Sequence, residues 1–210
     1  MRLKWIFLLL LVCAWNWPTH EDFSVKVYES FPKEAKSRLN LSLVREGSTI
    51  PDRIFQDFEY HSYPGSVVKT EFWLNQSNNA FLEENYALAS TSLGIATHYI
   101  SDSFSAPHNV NGEEYSQHSK FETEAENIPF YARCAIGDKD VEFYISKGQE
   151  SMKDWGLWLK NSNKNIQSRE LSNALIAGYA LSHAYYDTEC SQPFFIRLRD
   201  QIKIFKFRFF

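Results

Sequence analysis

His98–Glu122 reads HYISDSFSAPHNVNGEEYSQHSKFE and carries three of the six histidines in the chain. His98 and Asp102 stand four residues apart, and so do His118 and Glu122. On a helix that spacing stacks two side chains on one face. His108 lies midway, ten residues from each of the other two histidines and directly after Pro107, where a helix should be interrupted. Two helical His/carboxylate pairs around a lone histidine supply the nitrogen and oxygen donors of a zinc site. One such pair would be an unremarkable solvated helix face; two around a third histidine outweigh coincidence.

Outward from this stretch, helical periods dominate. Thr19 and Asp22 form a capping-box-like pair after Pro18, and the predicted helix presents Phe23, Val27 and Phe31 until Pro32 ends it. A short helix is predicted over 33–43 and turn material over 47–52, followed by an irregular, aromatic segment over 53–70. A long helix is expected over 79–103, its Ala87, Ala89, Ser92, Gly94 and Ala96 permitting close packing. Further helices are predicted over 115–127, 140–161 and 168–186. The expected class is all-α, a single multi-helix domain over 15–200.

Composition bounds the function. With 210 residues, 44% hydrophobic and 23% charged, the chain is long enough to bury a sizeable core. Aromatics are abundant, with Trp 6, Tyr 11 and Phe 17. The first fourteen residues read as a signal peptide: Arg2 and Lys4, an apolar run from Trp5 to Val12, and small residues before cleavage at Ala14–Trp15. The run is too short to span a bilayer. Secretion follows as an expectation, with lipidation at Cys13 the weaker alternative. Removing Arg2 and Lys4 from the 22 basic residues leaves 20 against 26 acidic ones, which argues against a nucleic-acid partner. Cys134 and Cys190 are compatible with a disulfide or with two buried thiols. The tail 201–210, QIKIFKFRFF, alternates basic with apolar residues, as a segment touching a membrane surface would, or a fold-capping strand.

Upstream, His20 lies five residues after Trp15, and Asp52 and His61 are nine apart. Five of the six histidines thus fall in a plausible ligand set, and His183 reads as an ordinary packed histidine.

The order of these residues resembles the zinc-dependent phospholipase C family: an N-terminal Trp, a nearby His, Asp…His, H-x-x-x-D, a lone His, then H-x-x-x-E. LGIATHYISDSFSAPH is similar to the family's central helix and following turn, and HSKFE to its last ligand helix. The resemblance runs to about Tyr186 in shortened form. It implies a tri-zinc cleft in an all-α fold shared with S1/P1 nucleases. Trp15 would bind one Zn²⁺ through its freed amine and carbonyl, together with His20. Asp102 would bridge to a second ion held by Asp52, His61 and His98, and His108, His118 and Glu122 would hold a third. Asp52 could also serve as general base, and Phe58, Tyr60 and Tyr63 could line a head-group pocket. The implied activity is hydrolysis of a phospholipid, or another phosphodiester, by a monomer. The competing readings are a single-strand nuclease/3′-nucleotidase and a zinc-binding module without turnover.

Overall fold

The computed structural model describes residues 15–135 and 137–191. The expected signal peptide over 1–14 and the tail 201–210 lie outside them. Among the described residues every regular element is helical, as the periodicity requires. In chain order these are α1 (Trp17–Ser30), α2 (Lys33–Lys36), α3 (Leu41–Gly47), α4 (Gly65–Leu82), α5 (Tyr86–Ser103), α6 (Tyr115–Ala125), α7 (Val141–Ser146), α8 (Met152–Asn161) and α9 (Asn165–Tyr186). A π-helical turn covers Pro51–Phe55, and short 3₁₀ segments cover Phe58–Tyr60, Ala106–Asn109 and Lys147–Ser151. No described helix is long and apolar enough to cross a membrane.

Helix α5 is the axis of the fold. From Ser92 to Ser103 every residue is buried, because small and apolar side chains surround it on all sides. It packs against α4, α3, α1 and α9. Its crossing with α3 is made backbone to backbone. A Cβ on Gly94 would strike the Val44 carbonyl and come within 2.9 Å of both Gly47 Cα and Ser48 N. At the other end, aromatics fill the space between α6 and α8. Phe121 meets Trp158 at 5.1 Å and Trp155 at 5.8 Å, with Trp15 against its other side at 5.3 Å. The high aromatic content therefore goes largely into core.

Several boundaries differ from the predicted ones, each for a local reason. Helix α1 starts at Trp17, with Pro18 in its first turn and Thr19 buried rather than capping. The segment 33–43 breaks at Asn40, whose Oδ1 accepts from the Ser42 and Leu43 amides and so starts α3. The expected turn at 47–52 leads instead into the π-helical turn, which ends at Gln56 in the left-handed region, φ 52°. The supposedly irregular 53–70 holds the start of α4. That helix was hidden because its buried stripe is Ser66, Thr70, Leu74 and Ser77, while Val68 and Phe72 face outward. The long helix predicted over 79–103 is interrupted at Glu83–Asn85. Glu84 is left-handed there, and the Asn85 side chain caps Leu88 N at 3.2 Å.

Cys134 and Cys190 form a disulfide, resolving the two readings left open. It ties the segment after α6 to the segment after α9.

Candidate metal centre

The predicted ligands arrive from every part of this scaffold. His20 comes from α1, Asp52 from the π-helical turn, and His61 from the end of the first 3₁₀ segment. His98 and Asp102 come from one face of α5, His108 from the 3₁₀ turn after Pro107, and His118 and Glu122 from one face of α6. All are buried except His108, which is partly so. The structure gathers them in two adjoining groups. Donor atoms of Asp52, His61, His98 and Asp102 lie within 4.8 Å of one another, as do those of His108, His118 and Glu122. The His61 and His108 rings, 5.9 Å apart, join the groups.

Asp102 divides its two oxygens. Oδ1 faces His20 Nε2 at 3.4 Å, whereas Oδ2 faces His61 Nδ1 at 2.8 Å and His98 Nε2 at 3.1 Å. Asp52 faces the same three ring nitrogens at 3.6–3.9 Å.

The far sides of the rings settle the tautomers. The Ser101 hydroxyl donates to the His98 carbonyl and therefore accepts from His20 Nδ1 at 3.0 Å. His98 Nδ1 donates to the Ser48 carbonyl at 2.8 Å. In a neutral imidazole, Nε2 of each ring then carries a lone pair, aimed at carboxylate oxygens. Neither Nε2 nor either Asp102 oxygen is aligned for a hydrogen bond, although all are buried. Lone pairs facing carboxylates repel unless a cation sits between them. A proton is a poor candidate at His20, whose pKa is held well below the usual histidine range by burial and the neighbouring His98. The donor set fits a divalent metal: imidazole nitrogens and carboxylates, with second partners on the outer ring nitrogens.

His61 is the exception in charge. Burial pushes its pKa down, but Asp102 and Asp57 override that and raise it to about 10. Its Nε2 lies 3.7 Å from Asp57, which also accepts from the Tyr99 hydroxyl at 2.9 Å and pairs with Lys69 at 2.7 Å. The carboxylates thus demand positive charge, which a proton or a metal ion can meet. Asp102 itself stays ionised: burial opposes this, but His98 and His20 hold its pKa well below the usual range.

In the second group Glu122 Oε1 meets His118 Nε2 at 2.7 Å and His108 Nε2 at 3.3 Å. Burial, then the field of Asp102 and Asp52, raises the Glu122 pKa well above normal, so this carboxyl too lacks a compensating cation among the side chains. Two supports set the turn bearing His108. Glu170 Oε2 on α9 accepts from Ala106 N at 3.2 Å, and Asn109 Nδ2 bonds the carbonyls of Ser103 and Ser105 at 2.8 and 3.0 Å.

Trp15 is placed through its side chain. The indole Nε1 donates to the Ser101 carbonyl at 3.1 Å, next to Asp102, while its ring packs on Phe121, next to Glu122. Asn16 follows with bonds to Thr123 on α6 and to Glu126 directly after it. Residues 15 and 16 are therefore pinned between α5 and α6.

The three aromatic candidates separate. Phe58 stands 5.4 Å from His61, beside the cluster. Tyr60 lies under the Lys69 ammonium at 4.4 Å, and the Tyr63 hydroxyl donates to Glu142 at 3.1 Å. His183 is remote and packed, as its neighbours suggested. The Ser30 hydroxyl donates to the Val27 carbonyl and accepts from Nε2, Thr188 meets Nδ1 at 2.9 Å, and burial lowers the pKa to about 4.

The supporting residues Ser48, Ser101, Asp57 and Glu113, whose Oε1 lies 3.4 Å from His118 Nδ1, escaped the sequence reading. Asp57 alone carried a signal, since it precedes His61 by the same four-residue spacing as the pairs already recognised.

Among the described residues, an all-helical scaffold encloses buried His/carboxylate groups that could hold metal ions. The family model described as zinc-dependent phospholipase C matches residues 19–185, and the chain belongs to that family. No curated protein and no solved structure gives a significant match.

Proposed function

We propose that the protein is a secreted zinc-dependent phospholipase C holding three ions. The observation that carries this reading is the division of Asp102 between His20 on one oxygen and His61 with His98 on the other. That is what a carboxylate bridging two cations requires. His61, His98 and Asp52 would complete one position, and His108, His118 and Glu122 another. The freed amine and carbonyl of Trp15 would join His20 at the third, for which the pinned indole is the support.

Bound zinc would supply Lewis acidity toward phosphoryl oxygens and a water of lowered pKa. The protein supplies the rest. Three carboxylates against six metal charges leave about +3 in the cleft, a field that draws in a phosphodiester anion. Asp52, which faces all three rings at a longer distance than Asp102, would take the proton of the attacking water. The water oxygen would bond to phosphorus as Asp52 takes its proton, the P–O bond to the diacylglycerol oxygen would break, and the proton held by Asp52 would pass to that leaving oxygen. Phe58 would form one wall for the head group, whereas Tyr60 and Tyr63 are occupied elsewhere. The tail 201–210 remains a candidate membrane contact.

The test is product identification with the zinc-loaded protein beginning at Trp15. Phosphatidylcholine should yield phosphocholine and diacylglycerol, and 3′-AMP should yield no adenosine. Adenosine without phosphocholine would transfer the chain to the nuclease side. Absence of both products with zinc bound would leave a non-catalytic module.

A further inference from the structure

We propose that the exposed surface formed by Trp17, Ile54, Phe55, Val68 and Phe72 seats the protein on a zwitterionic phospholipid bilayer; the proposal rests on the phospholipase reading. The first observation is the outer face of α4. The helix buries Ser66, Thr70, Leu74, Ser77 and Ala80, yet turns the large apolar Val68 and Phe72 to solvent, 63% and 56% exposed. A helix folded for stability alone keeps polar side chains on that face. Val68 and Phe72 are one turn apart, on one face.

The second observation is continuity. Phe72 packs edge-on against Trp73 at 5.0 Å, and Trp73 stacks on Phe55 at 5.7 Å. Ile54, beside Phe55, is 66% exposed. Arg53 then lies over the Trp17 indole at 5.3 Å, linking the start of α1 to the π-helical turn. Neighbouring large apolar side chains linked in this way form a patch, as an interaction site does, rather than singly scattered surface residues.

The third observation is position. Ile54 and Phe55 share a five-residue turn with Asp52, and Trp17 opens the helix that carries His20. Insertion of these tips into the acyl boundary would hold the metal centre at the depth of the lipid phosphates. A second copy of the chain seated there would cover the ground its substrate must cross.

Charge selects the kind of bilayer. Along residues 53–72 the cations Arg53 and Lys69 are outnumbered by Asp57, Glu59 and Glu71, with Lys69 already paired to Asp57. An anionic surface gains nothing from that margin, so attachment is apolar and aromatic.

The experiment compares the zinc-loaded protein with Ile54→Ser/Phe72→Ser, neither residue being a ligand. Cosedimentation with phosphatidylcholine vesicles should weaken at least about tenfold in the variant. Vesicle hydrolysis should fall in parallel, while hydrolysis of water-soluble p-nitrophenyl phosphocholine stays unchanged. Wild-type binding should hardly respond to salt, since exposed charges contribute little. Equal vesicle binding by the two proteins would overturn the proposal. So would a wild-type dimer that the double substitution disperses. Vesicle binding lost in the variant, with no ester hydrolysed by either protein, would leave the docking surface standing and remove the phospholipase reading.

Discussion

Asp102→Asn is expected to lower phosphodiester hydrolysis about a thousandfold, the equivalent of roughly 4 kcal/mol for breaking a buried charge cluster. The substitution preserves shape, so the effect isolates chemistry. Asn offers one oxygen, and its amide must turn N–H groups toward either His20 or the His61/His98 pair. It can therefore satisfy one side of the cluster but cannot bridge both. Metal content should fall at two positions together. Glu122→Gln removes a carboxylate that serves only His108 and His118, so it should cost less activity and affect one position. Steady-state kinetics with elemental analysis of both variants distinguishes the two effects. Equal losses would mean that Asp102 has no bridging role.

The second large effect is expected at a residue with no chemistry. Gly94→Val should destabilise the fold by about 3 kcal/mol, since overpacking has no flexible side chain to displace. For a chain of this size that is a drop of roughly 6–12 °C in Tm. The obstruction is backbone: the Val44 carbonyl, Gly47 Cα and Ser48 N. His98 is one turn further along α5 and donates to the Ser48 carbonyl, so moving α3 away also loosens a metal-facing ring. Metal content should fall with stability. Gly156→Ala on α8 is the control: its added Cβ meets nothing within 4 Å, and the helix should tolerate or gain slightly from it. Thermal denaturation of the two variants is the measurement. A Gly94→Val protein as stable as the parent would show that α3 and α5 do not make this contact.

Both effects trace back to how unevenly the structure was written into the sequence. The ligands were legible because each helical pair repeats a four-residue spacing, and because histidine and carboxylate side chains carry their chemistry openly. His20, Asp52 and His61 followed only through the family's order, as nothing local distinguishes them. The partners that set their tautomers were harder to see. A serine hydroxyl at 101 or a carbonyl at 48 looks like any other until a ring nitrogen is placed against it. Helix α4 was missed for a related reason: its inward stripe mixes Ser66, Thr70 and Ser77 with Leu74, while Val68 and Phe72 face outward, so the amphipathic pattern was blurred. The breaks at Asn40 and Asn85 were visible only as capping-prone residues inside longer helical runs. What the hydrophobic pattern misjudged at α4 is the same surface that now reads as a membrane seat.

In the proposed site, the terminus freed at Trp15 completes a metal cluster bridged by Asp102. Elemental analysis of zinc, on protein beginning at Trp15 and on protein carrying one extra residue before it, tests that claim directly. Three zinc ions per chain in the first and two in the second are predicted, because only a free terminal amine at Trp15 can complete the position shared with His20. Fewer than two ions in the protein beginning at Trp15, or the same content in both proteins, would contradict it.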